Sequence, residues 1–425
     1  MKAHLVTVGD EILIGQINNT NVAWMATELN QIGIDVVRMV TVGDTPADIH
    51  DALRTAFLEA ELVLTTGGLG PTHDDLTKQA IASFFGKDLE YQPPIFEHIR
   101  QLLESRGRKT SELNRVQALV PQGFEVIPNS MGTAPGLWYE FEQNGKKRYL
   151  GMMPGVPFEM KAIMQQSFLP RLAAHAQEVI VHKTLLTVGI GESDLAEKIG
   201  DVRTFLGKGA TLAFLPGPKT GVKLRLSVRS ETMAKAEAVL GKGVAHLWER
   251  AHHYIYGEGN TLPEIVVGEL LRKLKKTIAT AESCTGGHIA DRLSDIPGSS
   301  AYLLGGVVAY CNSVKMNLLG VSEADLSRFG AVSETVVKQM AEGIRTLTGA
   351  DIGISTSGVA GPDGGTPDKP VGTIWIALAD ANGTEAKMLR LFKDRVLNKE
   401  FTTTLVLDFV RKRLNLLDVD GSVTS

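Results

Sequence analysis

Leu62-Val63-Leu64-Thr65-Thr66 runs directly into Gly67-Gly68-Leu69-Gly70-Pro71-Thr72-His73-Asp74-Asp75-Leu76-Thr77-Lys78. A short apolar strand, a glycine turn and a helix start are consecutive here, so the turn can aim its amides at an anion. The same grammar recurs upstream. Leu5-Val6-Thr7-Val8 closes with Gly9-Asp10, and Val36 to Val42 closes with Gly43-Asp44. Between them, Asn18 to Gly33 carries Val22, Met25, Ala26 and Leu29 at helical spacing. Thr45-Pro46 opens the next helix, with Thr45 as cap and Pro at the first helical position. Short apolar strands alternating with amphipathic helices predict a doubly wound α/β domain around a parallel sheet. Ligands of such sheets bind at the carboxyl ends of the strands, where all three glycine turns fall.

Two further segments come after this domain. From about Arg171 to Gly259 the order is strand (Lys183 to Val188), helix (Glu192 to Arg203), strands (Thr211 to Leu215, Val222 to Val228), helix (Met233 to Arg250) and strand (His253 to Tyr256). That is the βαββαβ order of a small ferredoxin-like α+β unit, with Pro216 to Gly221 as its hairpin turn. It holds no catalytic constellation, so a spacer or dimerisation role is expected. The third segment is a second α/β domain. Its strands are read at Thr277 to Glu282, Gly306 to Tyr310, Ile352 to Ser355, Thr373 to Ala379 and Met388 to Phe392. The predicted domains are therefore 1–170, 171–259 and 260–417, with a disordered tail over 418–425.

Composition narrows the class. The 425 residues carry 44 basic and 48 acidic side chains, so there is no electrostatic footprint for nucleic acid. Cys284 and Cys311 are the only cysteines and form no C-x-x-C pair, which fits reduced thiols. No stretch is apolar and long enough to span a bilayer, and the N-terminus lacks signal-peptide character. A cytoplasmic location is expected.

Ser283 sits where the Thr277–Glu282 strand breaks into Ser283-Cys284-Thr285-Gly286-Gly287 and a helix. That setting exposes a hydroxyl beside helix amides that favour developing negative charge. Ala281 stands where a G-x-S-x-G elbow needs Gly, and no Ser-His-Asp set is evident. Lys315 is the candidate base, since burial can depress a lysine pKa. The alternatives are that Ser283 only caps the helix, or that Cys284 is the nucleophile. A second loop, Ser357-Gly358-Val359-Ala360-Gly361-Pro362-Asp363-Gly364-Gly365-Thr366-Pro367-Asp368-Lys369-Pro370-Val371-Gly372, could cradle a phosphate with Lys369 adding charge. It could equally be a long connection. In the first domain, Asp74 and Asp75 beside the glycine amides suit a divalent cation, with Asp10, Glu11 and Asp44 at neighbouring strand ends. Asp10, Asp44 and Asp74 could instead simply cap helices.

Ala281 to Gly287, Tyr310 and Lys315 within Val308 to Lys315, and Gly358-Val359-Ala360-Gly361-Pro362 together resemble the nicotinamide mononucleotide deamidase family, over about Thr261 to Leu414. The resemblance implies Ser283, Tyr310 and Lys315 as the catalytic set, with no cofactor. It implies a substrate cradle from Thr285, Gly286, Gly287, Gly358, Ala360, Gly361, Gly364, Gly365, Lys369 and Arg395. One departure is Phe392-Lys393-Asp394-Arg395, where that family more often has Gly before the Asp-Arg pair. The first half resembles the molybdopterin-binding-like domain that begins CinA proteins. The resemblance rests on Val8 to Leu13, Asn18 to Asn21, the Gly67 to Thr77 motif, Gly132 to Gly136 and Met153 to Met160. It implies an ADP-ribose pyrophosphatase using Mg, Mn or Co. Asp74, Asp75, Asp44, Asp10 and Glu159 would hold the metal, and Gly67, Gly68, Gly70 and Thr72 the pyrophosphate. It also implies a homodimer. A rival expectation is a pterin-binding or regulatory protein without ADP-ribose turnover.

Overall fold

The computed structural model describes residues 1–72, 75–175 and 178–422, with side chains as far as 417. It divides into two compact units, residues 1–181 with 229–238, and residues 182–228 with 239–425.

In the first unit β1 (Lys2–Val8), β2 (Asp35–Val42) and β3 (Leu62–Thr66) are joined by β4 (Glu125–Ile127), β5 (Gly136–Gln143) and β6 (Lys146–Met153). The sheet order is β2-β1-β3-β6-β5-β4. β1 pairs in parallel with β2 and β3, and β3 with β6, while β5 and β4 run antiparallel at one edge. The chain leaves β1 for β2 on one side and returns to β3 on the other. The crevice beyond β1 is therefore a topological switch point, the usual ligand position in open α/β sheets. Apolar clusters cover both faces, one around Leu53, Phe57 and Ile81 and one around Met25, Leu29 and Phe168. Thr45 caps its helix as expected, its side chain accepting from the Asp48 amide.

In the second unit β7 (Val179–Thr187), β8 (Ala210–Gly217), β9 (Gly221–Ser230) and β10 (Ile255–Glu258) form a sheet of order β8-β9-β7-β10 with helices between, the expected βαββαβ succession. The first helix stops at Ile199 rather than Arg203, because Gly200 turns left-handed at φ 75° and ends it. The hairpin turn is anchored to the C-terminal domain. Thr404 Oγ1 donates to Pro218 O at 3.0 Å, and Arg292 Nη2 donates to Lys219 O at 3.2 Å. Arg292 is itself buried against Glu264 at 2.6 Å. Two charges taken out of water this far must stay paired, so the turn is held by a fixed group.

The C-terminal sheet runs β12-β11-β13-β14-β15, with β11 (Ile278–Glu282), β12 (Leu303–Val308), β13 (Ile352–Gly358), β14 (Thr373–Asp380) and β15 (Gly383–Arg390). β11 is fully buried between two parallel neighbours, β12 and β13. The chain again leaves to one side and returns to the other, so β11 ends at a second switch point. Two strands differ from their expected positions. β12 begins at Leu303 because Gly305 and Gly306, which interrupt the apolar run, are accommodated in the strand, Gly305 at φ 157°. β15 begins at Gly383 because it is a largely exposed edge strand with little apolar signal, joined to β14 by a two-residue turn. The last helix, Arg395–Ser422, continues over part of the expected disordered tail; residues 423–425 lie outside the described residues. Among the described residues no helix is long and apolar enough to cross a membrane.

Candidate active site

Register places Glu282 beside Val308 on β12 and Thr356 on β13, so the segments that leave these three strands meet at one end of the sheet. Ser283 leaves β11 with its amide donating to Thr356 O at 3.0 Å, and Gly286 N closes the turn onto Ser283 O at 3.2 Å. Gly286 and Gly287 adopt φ 65° and 96°, a left-handed pair that side chains disfavour.

Lys315 is 1 % exposed. Its Nζ lies 3.3 Å from Ser283 Oγ, 2.7 Å from Ala309 O and 3.3 Å from Tyr310 O. Burial pushes its pKa below the ordinary lysine value, opposed by the neighbouring Cys311 and Cys284 thiols. A neutral amine has two N–H groups and one lone pair. With two carbonyls accepting the N–H groups, the lone pair is left for the serine hydroxyl. As an ammonium, Lys315 donates to Ser283 Oγ; once deprotonated it can instead accept from the serine, as a base does from its nucleophile.

Tyr310 does not stand between them. Its ring is 62 % exposed, and its hydroxyl accepts from Arg395 Nη2 at 2.7 Å. Among the described residues no hydrogen bond joins that hydroxyl to Ser283 or Lys315. Cys284 is buried, and desolvation raises its thiol to about 12. A thiol held protonated is a poor nucleophile, which favours Ser283 over its neighbour.

The amides of the helix start are not free as expected. Glu282, 0 % exposed, accepts from Gly287 N (3.0 Å), Ile289 N (3.1 Å) and Ala290 N (2.9 Å). Cys284 N and Thr285 N remain as the turn amides without an oxygen acceptor among the described residues. The buried hydroxyl of Thr285, an expected substrate contact, bonds Thr356 Oγ1 at 2.8 Å, leaving its amide toward the site.

The second loop meets the serine site through Arg395, whose Nη1 donates to Gly361 O at 3.0 Å. Gly361 needs its freedom: φ is 91°, and a Cβ there would come within 2.5 Å of Val371. Gly358 ends β13 against Ile374, and the Ala360 carbonyl is taken by Asn398 Nδ2 at 2.8 Å. Asn398, fully buried, also bonds Phe392 N and O, and so ties the glycine loop and the segment after β15 to the last helix. No sequence motif marked it. Gly364 and Gly365 lie on the exposed arm of the loop. Lys369 gives one of its ammonium N–H groups to Phe329 O at 2.7 Å.

The first unit has its own cavity of about 430 Å³ at the end of β1. Gly67, Gly68, Gly70, Asp44, Asp75 and Glu159 line it, with Glu11, Asn21, Gln117 and Thr133. Asp10 and Thr72 do not line it, and Asp74 lies outside the described residues. Two members of the expected metal set have protein partners. Asp75 accepts from Gly70 N and Thr72 N at 2.8 Å each and from the Thr72 hydroxyl, so it shapes the glycine loop. Glu159 turns to Asn129 Nδ2 at 2.7 Å, and burial raises its pKa. Asp10 donates its amide to Asp44 at 3.1 Å. Among the described residues, which do not include Asp74, no three His, Cys, Asp or Glu side chains are grouped to hold a metal ion. Lys78, unassigned in the sequence, is buried and donates to Val116 O, Gln117 O and Leu119 O at 2.7–3.1 Å, with desolvation lowering it to about 8. It fixes the segment that brings Gln117 to the cavity. Replacing Asp75 with Ala is expected to cost about 1–3 kcal/mol in denaturant unfolding, equally with and without chelator. A loss seen only when Mg²⁺ is present would return Asp75 to the ligand set.

Three family models match the chain: a probable molybdopterin binding domain over residues 4–174, the damage-inducible protein CinA KH domain over 182–257, and the CinA C-terminal domain over 260–414. A CinA-like protein of Salinibacter ruber is 46% identical over 417 residues, covering 98% of this chain and 100% of its own. One from Chloroherpeton thalassium is 45% identical over 419 residues, with the same coverage. Among solved structures, a competence/damage inducible protein of Agrobacterium tumefaciens is 37% identical. It covers 35% of this chain and 95% of its own, with a TM-score of 0.33.

Proposed function

Since the chain belongs to the CinA family, we propose that its C-terminal domain hydrolyses the carboxamide of nicotinamide mononucleotide to nicotinate mononucleotide and ammonia. The observation that carries this reading is the buried Lys315 amine 3.3 Å from Ser283 Oγ, with two carbonyls taking its other bonds. Lys315 removes the Ser283 proton as Oγ attacks the carboxamide carbon. Cys284 N and Thr285 N are the donors available to the oxyanion. The lysine returns the proton to the leaving nitrogen, ammonia departs, and water releases the acid from the acyl-serine. Tyr310 and Arg395, bonded to each other at the mouth, bind substrate in this scheme and carry no proton.

For the N-terminal domain, the glycine-lined cavity at the β1 switch point supports binding of a nucleotide diphosphate such as ADP-ribose. No metal-dependent step is drawn from it.

The test is to incubate the purified chain separately with nicotinamide mononucleotide and ADP-ribose, with and without chelator. Chelator-insensitive ammonia from the first is expected, and its absence would sink the amidase reading. ADP-ribose binding by calorimetry is expected irrespective of turnover. Tight binding of a pterin in its place would favour a cofactor-handling domain.

A further inference from the structure

A helix N-terminus after a catalytic loop is an ordinary place for a phosphate. Here that position is filled from within the chain, because the buried Glu282 carboxylate already accepts from Gly287, Ile289 and Ala290. Lys369, the other expected anion partner, gives one of its N–H groups to Phe329 O. A nucleotide phosphate arriving at Ser283 has room for further charge partners.

Two cations stand at the right place, both on the helix that begins at Arg395. Arg395 reaches Tyr310 and Gly361, the ends of the two loops. Lys399 comes four residues later, on the same helix face. Its Nζ lies 3.8 Å from the point where a Cβ on Gly286 would sit, so it hangs over the serine turn. Among the described residues no carboxylate or carbonyl accepts from that ammonium, although Lys399 is half-buried. The absence of a side chain at Gly286 leaves the space beside it open. A partly desolvated cation without a protein partner is one for which a ligand anion would supply the missing interaction.

We propose that Lys399, with Arg395, grips the phosphate of a nucleoside monophosphate and makes the site selective for nucleotide over nucleoside. The inference rests on the amidase reading above. It assigns to Lys399 the role that sequence reasoning gave to Lys369.

The experiment compares the wild-type chain with Lys399→Gln and Lys399→Arg, on nicotinamide mononucleotide and on nicotinamide riboside. Lys399→Gln is expected to raise KM for the mononucleotide on the order of 10- to 100-fold, with kcat little changed and any riboside turnover unaffected. Lys399→Arg is expected to recover most of the affinity. An unchanged mononucleotide KM in Lys399→Gln, or equal losses on both substrates, overturns the inference while the amidase reading stands. Loss of the native circular dichroism signal in Lys399→Gln would make Lys399 a structural residue and overturn it too. No ammonia from the wild-type chain overturns both readings.

Discussion

Replacing Lys315 with Met is expected to lower kcat for ammonia release by ~10²–10⁴-fold, the range that loss of a general base removes, while the chain stays folded. Met has nearly the same length and no charge, and the site it enters is 1 % exposed. The carbonyls of Ala309 and Tyr310 lose a donor, but a desolvated amine is removed as well, so the two effects oppose each other. Ser283 and Lys315 act as one unit, so the double variant Ser283→Ala/Lys315→Met is expected to be no slower than the worse single variant. Multiplicative losses would mean that the two side chains work independently.

The same residue sets the pH dependence. The base must be neutral, and burial holds its pKa below 10.5. Activity is therefore expected to be lost as pH falls through that depressed value and regained above it. Stability has the same sign. Between the folded pKa and 10.5 the unfolded chain binds more protons than the folded one, so folding strengthens as pH rises through that window. Both effects are expected to vanish in Lys315→Met. A pH–rate profile for the wild type that is flat through the alkaline range would remove Lys315 as the base.

Much of this was legible because glycine turns and apolar runs are local signals. Three glycine turns marked the end of the first sheet, and the Glu282-to-Gly287 run marked the end of the third. What escaped was long-range. The Lys146–Met153 strand pairs in parallel with Leu62–Thr66, a partner far away in sequence that no periodicity identifies. Asn398 and Lys399 sit on a helix whose sequence shows nothing unusual, and they matter because that helix crosses both loops. Carboxylates carry a related ambiguity. Asp75, an expected ligand, accepts from amides of its own loop, and Glu282, given no role by the sequence, accepts from amides at the start of the next helix. Residue type does not show whether an oxygen faces the cavity or the backbone. Lys369 and Thr285 are polar groups in the expected loops whose side chains also bond Phe329 and Thr356.

Glu282→Ala is expected to damage both folding and catalysis. Three amides lose their acceptor in a site with no solvent access at Glu282. The Ile289 bond is buried and the Gly287 and Ala290 bonds part-buried; an orphaned buried donor costs about 1–3 kcal/mol, so the variant is expected to lose on the order of 1–3 kcal/mol, a sizeable share of the roughly 5–15 kcal/mol typical of a folded domain. Catalysis falls with it, because the Ser283 turn is held between β11 and this capped helix, and a displacement of about 1 Å can cost ~10²-fold. Glu282→Gln separates positioning from chemistry. Its amide nitrogen would face backbone donors where a carboxylate oxygen stood, so it is expected to destabilise nearly as much as Ala. Were Glu282 instead an acid or base in the reaction, the Gln variant would keep its unfolding midpoint and lose turnover alone. Denaturant unfolding read beside kcat therefore decides between the two roles. Glu282→Asp keeps the charge but is one methylene shorter, and is expected to fall between wild type and Ala on both axes. If Glu282→Gln unfolds at the wild-type midpoint and turns over at the wild-type rate, the carboxylate is not what shapes the serine turn.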